Sequence, residues 1–263
     1  MQEIWLPLIG CLVGVVIGMT GVGGGSLMTP LLIGVFHIPP HIAVGTDLLF
    51  AAITKVVGSA SLARRRVIPW REVRWISAGS LPAALLTVAV VAYLGPTQAS
   101  TKALITLMLG AVLVLAGAVN LYRLWAPAAA HTEVEANQSS EQLTRARRLK
   151  AIAFGALIGV LVSITSVGAG ALGVAAIALL FPYLSAQRVV AADLAYAVPL
   201  SLVAGLGYAS MQAVDWSLLG WLLLGSIPGI YLGSHAHAWV PPRASRGLLG
   251  AVLVGVGITM INR

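Results

Sequence analysis

The chain has 263 residues, of which 59% are hydrophobic and 9% charged, and it carries a net charge of +8. A soluble domain has about a quarter of its residues charged, so a water-facing enzyme, a DNA-binding domain and a disordered chain are all excluded. What fits is an all-α polytopic membrane protein, because barrel strands alternate apolar and polar residues over ~10 positions, whereas these runs are apolar on every side.

A spanning helix needs ~20 mostly apolar residues. The first run, Ile4 to Met19, holds the single cysteine, Cys11, so neither a disulfide framework nor a cysteine-based metal site is expected. Glu3 stands where a signal peptide has its basic start, so this run reads as a retained helix. The glycine-rich string Thr20-Gly21-Val22-Gly23-Gly24-Gly25-Ser26 leads to a second run of only ten residues, Leu27 to Phe36. At ~1.5 Å per residue such a run covers about half of a ~30 Å hydrocarbon core. His37 and His41 are assigned to an outer loop with Pro39 and Pro40, ahead of the third run, Ile42 to Leu62. The fourth and fifth runs are Val73 to Leu94 and Ala103 to Leu124.

A hydrophilic stretch follows, and residues 126–149 read as a cytoplasmic linker between transmembrane units 1–125 and 150–263. The second unit repeats the pattern with Ala151 to Ile164, Ala171 to Leu184, Val189 to Ser210, Trp216 to Leu232 and Leu248 to Ile261. Trp70, Trp75, Trp216, Trp221 and Trp239 lie near the ends of runs, where interfacial anchoring accounts for them.

Ten runs define a topology that the charges test. With Arg64, Arg65, Arg66, Arg71 and Arg74 in the cytoplasm, thirteen of the sixteen Lys and Arg fall inside. Lys102 and Arg263 fall outside, and Lys55 lies within a run. This asymmetry obeys the positive-inside rule. The pI near 10.3 therefore reports orientation in a lipid bilayer rather than a nucleic-acid partner.

The two units resemble each other at an offset of 146 residues: Asp47-Leu48 with Asp193-Leu194, Trp70 with Trp216, Trp75 with Trp221, and Gly79-Ser80-Leu81-Pro82 with Gly225-Ser226-Ile227-Pro228. At an offset of 145, Thr20, Val22, Gly23, Gly25 and Leu27 match Thr165, Val167, Gly168, Gly170 and Leu172. Five runs per unit is an odd number, so the expected architecture is two inverted repeats, an arrangement many secondary transporters use with the substrate site at the repeat interface.

Each repeat is expected to open with a glycine-broken hairpin of short helices. Glycines permit positive φ and close ligand approach, and a helix that starts after the turn points free N–H groups and its positive dipole end at the gap. Thr20, Ser26, Thr165 and Ser166 add hydroxyls. The expected site for a small anion is therefore Thr20, Gly21, Gly23, Gly24, Gly25 and Ser26 facing Thr165, Ser166, Gly168 and Gly170. The competing account is close helix packing through small residues. No Gly-Lys-Ser/Thr follows Gly25, so no nucleotide loop is present, and no cofactor or metal is expected.

Asp47, Lys55 and Asp193 are the ionisable groups inside apolar runs, and each needs a partner or a wet cavity. The two aspartates are repeat-equivalent, which suits proton coupling; capping or bracing of their helices is the alternative. Lys55 is eight residues from Asp47, ~80° away around a helix, so no pairing on one face is expected. Its counterpart is Ser201, which makes the repeats unequal.

The strings GMTGVGGGSLMTPLL and ITSVGAGALG, with the runs HIAVGTDLLFAAITKVVGSA and AADLAYAVPLS, resemble the sulfite exporter TauE/SafE family over nearly the whole chain. Gly21, Gly23, Gly24, Gly25, Ser26 and Pro30 match the first motif, and Gly168 and Gly170 the second. Ala175 stands where a counterpart of Pro30 would be, and Ala192 replaces Thr46, so the two tips are not equal. The resemblance implies a bacterial inner-membrane carrier for sulfite, an organosulfonate or a related organic anion, usually coupled to protons. A passive anion channel is the alternative from composition, and a membrane enzyme the weaker one, because no convergent His, Ser and acid set is found. Association into homo-oligomers stays open.

Overall fold

In hydrocarbon, every backbone N–H and C=O has to be satisfied within its own segment, so long apolar runs fold as helices. The computed structural model describes residues 5–20, 25–64, 66–125, 145–236 and 242–261; Gly21, Gly23, Gly24 and most of the expected linker lie outside them. Among the described residues the regular structure is helical throughout: α1 (Trp5–Thr20), α2 (Gly25–Gly34), α3 (Pro40–Arg64), α4 (Trp70–Leu94), α5 (Ala99–Trp125), α6 (Arg145–Thr165), α7 (Ala171–Leu180), α8 (Ala186–Ser210), α9 (Trp216–Ala236) and α10 (Pro242–Ile261). Five of these are long and apolar enough to cross a membrane: α4, α5, α6, α8 and α9.

The helices match the ten apolar runs, with shifts that have physical causes. Pro40 opens α3, because its missing N–H is one that a helix start leaves unpaired in any case. This brings His41 into the first turn of α3, where it is buried, so its assignment to a loop is corrected. His37 does lie in the loop, with a left-handed φ of 54°. Helix α6 begins at Arg145, ahead of its apolar run, since Arg and Lys are good helix formers whose long stems reach the interface. Helices α2 and α7 have ten residues each, too few to cross a bilayer.

Glycine decides which helices touch. A side chain on Gly155 would run into the Ile76 carbonyl and one on Gly159 into the Ser80 backbone, so α6 lies directly on α4. The counterparts Gly10 and Gly14 sit in the same way on Leu222 and Ser226, so α1 lies on α9. In both pairs the numbering rises together along the two helices, and the members run parallel. Helices α3 and α8 cross with Gly45 beside Tyr208 and Leu49 beside Gly205, so they run antiparallel. The same holds for α5 and α10, where Gly110 meets Gly257 and Gly117 meets Gly250. Exchanging the first five helices for the last five maps this set of pairings onto itself. The core at the crossing is built from Leu48, Phe50, Tyr196, Leu200 and Tyr208, while Leu86, Tyr93 and Leu224 are among the large apolar side chains exposed on the outside.

The two ends of the bundle differ. At the end where α4 and α6 start, the Tyr183 hydroxyl donates to Glu72 Oε1 at 2.9 Å, and Arg147 and Arg148 lie over the Tyr183 and Trp75 rings at 5.9 and 5.3 Å. Burial and the adjoining Glu72 push the Tyr183 phenol well above its usual range, so it remains a donor. At the other end Asp215 caps α9 by accepting from the Leu218 N–H at 2.9 Å, and its own N–H donates to Thr46 Oγ1 at 3.1 Å.

Candidate substrate site

Asp47 is the eighth residue of α3 and Asp193 the eighth of α8. Two turns inside a helix is too deep for an N-cap, and for α8 that role belongs to Ser185, whose side chain accepts from the Arg188 N–H. The capping account of the aspartates is therefore replaced by contacts between helices. Asp47 is fully buried and accepts a hydrogen bond from the Thr29 hydroxyl of α2. Asp193, 3% exposed, accepts from the Tyr196 hydroxyl at 2.9 Å. Each aspartate thus faces the short helix of its own half: Thr29 is one turn into α2, and a side chain on Gly173, in the first turn of α7, would collide with Asp193 and Tyr196.

The connection from α6 to α7 is built by backbone conformation. Ser166, Gly168 and Gly170 all have positive φ, at 57°, 124° and 120°. Glycine adopts such angles without a Cβ penalty, while Ser166 is held there by its N–H bond to the Val162 carbonyl at 2.7 Å. Thr165 is committed to the turn: its hydroxyl lies 2.6 Å from the Leu161 carbonyl and accepts from the Val167 N–H at 3.1 Å. The Ser166 hydroxyl is different. It lies beside the Asp47 carboxylate, yet Ser166 Oγ and Asp47 Oδ1 are both buried without a closed hydrogen bond. The Gly170 N–H, just ahead of α7, is directed at the Asp193 carboxylate. The positive end of α7 thus already faces a carboxyl group supplied by the protein.

Lys55 completes the cluster. It is 3% exposed and lies within electrostatic reach of Asp193 first and Asp47 second. Angular separation on α3 misses this, because the nearer carboxylate belongs to α8. Of the expected site residues, the structure gathers Ser166, Gly168, Gly170, Asp47, Lys55 and Asp193 in one buried region. Thr20 and Gly25 end α1 and open α2, Ser26 lies in the first turn of α2, and Gly21, Gly23 and Gly24 fall outside the described residues. Thr29, Gly173 and Tyr196 are additional members. Only Tyr196 carried a signal in its spacing, one helical turn after Asp193 on the same face.

The chain matches the family described as sulfite exporter TauE/SafE over residues 6–260. It is 35% identical over 260 residues to the probable membrane transporter protein YjnA of Bacillus subtilis (strain 168), an alignment that covers 99% of this chain and 100% of that protein. It is 28% identical over 234 residues to the probable membrane transporter protein YdhB of the same organism, with 88% of each chain covered. No solved structure matches the chain.

Proposed function

Because the chain belongs to the sulfite exporter TauE/SafE family of membrane transporters, we propose that it is a multi-pass secondary carrier of a small anion in a bacterial plasma membrane. The cargo is sulfite, an organosulfonate or a related anion, bound between the tips that open α2 and α7. Access alternates as one repeat moves against the other, with Asp47 or Asp193 carrying the coupled proton. The observation that carries this reading is the start of α7, where a backbone N–H, a lysine and two buried carboxylates converge inside membrane helices. Dedicated ionisable groups at that depth are costly and belong to substrate or proton pathways.

The halves are read as inverted repeats. Support comes from the antiparallel crossings of the equivalent pairs α3 with α8 and α5 with α10, together with the parallel pairs α1 with α9 and α4 with α6. A substrate site at the meeting of inverted repeats is exposed to either side by the same motion run in opposite senses. The test is flux in proteoliposomes across a panel of sulfite, sulfonates and dicarboxylates. A carrier gives saturable uptake and counterflow for at least one of them; linear flux without counterflow would make the protein a channel.

A further inference from the structure

The place where an anion would sit is held by a side chain of the protein. The Gly170 N–H, the Tyr196 hydroxyl and the Lys55 charge all serve one carboxylate, Asp193. Ser166 Oγ, beside the Asp47 carboxylate, is a buried hydroxyl that closes no hydrogen bond. An arriving anion finds the right donors, but with a negative charge already on them.

We propose that the cargo is a monoanion that takes over the seat of the Asp193 carboxylate on Gly170 and Lys55, while one proton from solution binds Asp193. This deepens the carrier reading above and rests on it. The charge balance is simple. Before loading, Asp193 is negative and Lys55 positive. After loading, a proton is bonded to an Asp193 carboxyl oxygen and the cargo's single negative charge faces Lys55. No bond to the cargo forms or breaks, and the net charge of the cluster is unchanged. One proton therefore crosses with each anion, and the step moves no net charge.

A dianion fails this balance when Asp193 alone takes a proton and Asp47 stays the charged partner of Thr29, because it leaves one extra negative charge in a dry region where unpaired charge is expensive. The groups that could offset it are few. Helix α3 offers Asp47 and Lys55, α2 offers Thr29, already bonded to Asp47, and the α6–α7 turn offers Ser166. Helix α8 offers Asp193, Tyr196 and the unpartnered Tyr208 hydroxyl. Asp215, ahead of α9, reaches only Thr46, and Lys102 of α5 acts on His41 at the outer end of α3. None of these brings a second positive charge to Lys55.

The experiment uses the full-length protein in proteoliposomes with two probes, methanesulfonate as a monoanion and sulfate as a dianion. Anion uptake and internal pH are followed while potassium and valinomycin set the membrane potential. The expected result is about one proton per methanesulfonate, a rate independent of the potential, and sulfate uptake lower by at least about a hundredfold. In Asp193→Asn, whose amide oxygen can still accept from Tyr196 and Gly170, the protons moved per methanesulfonate should fall from about one to none and the rate should become sensitive to the potential. Saturable methanesulfonate transport without protons, or sulfate carried equally well, overturns this inference and leaves the carrier reading standing. Flux without saturation or counterflow overturns the carrier reading, and movement of neither probe counts against both.

Discussion

The cluster's finest constraint is a missing side chain. Gly173 needs no special φ; it is glycine because the Asp193 carboxylate and the Tyr196 hydroxyl occupy the space of its Cβ. Gly173→Ala should therefore push the carboxylate off the start of α7. The expected outcome is a loss of transport of at least about tenfold, with unchanged size-exclusion behaviour in detergent, since one methyl displaces a side-chain terminus rather than the helix backbone. Transport at the parent rate would show that the Asp193 position is not used. At this scale the sequence disclosed some residues and hid others. Asp47, Asp193 and Lys55 stood out because charge is rare in apolar runs. Thr29 and Gly173 did not, because a threonine or a glycine in a membrane helix is common and acquires meaning only from what lies opposite.

Among the elements, the helix pairs rest on backbone contact. The Gly-x-x-x-Gly spacing of Gly10 and Gly14 recurs in Gly155 and Gly159, and each pair removes the Cβ atoms that would hold two parallel helices apart. Gly155→Leu and Gly10→Leu should each destabilise the fold by about 1–3 kcal/mol or more through overpacking. Gly220→Leu, which meets nothing within 4 Å, should be tolerated. Thermal unfolding followed in detergent checks this, and equal stability of all three variants would contradict the packing. Hydropathy alone made all ten helices legible, because each must satisfy its own backbone. Which helix sits on which was not legible in that way. Pairing is written in the repeated glycine spacing, and those glycines gain their role only once a second helix is in place. The early start of α6 escaped for a related reason: hydropathy treats Arg145 to Lys150 as loop, whereas their charged ends reach water from within a helix.

For the whole molecule, orientation follows from the sorting of charge. Arg147 and Arg148 gather on Trp75 and Tyr183 at one end, and Asp215 ties α9 to Thr46 at the other. In a Cys11→Ala background, a single cysteine at Gln98, between α4 and α5, should react with an impermeant maleimide from outside intact cells. One at Gln187, in the first turn of α8, should react only after the cells are opened. The reverse pattern would invert the topology. The parallel seating of α1 on α9 also bears on how the protein is made. Helix α1 is translated some two hundred residues ahead of its partner α9. Until then the Gly10–Gly14 stripe must wait in lipid, covered by a temporary neighbour or by the insertion machinery. The first half therefore cannot complete itself during synthesis. Assembly is held back until α9 has been made, and a product truncated ahead of α9 presents an unmatched glycine face to membrane quality control.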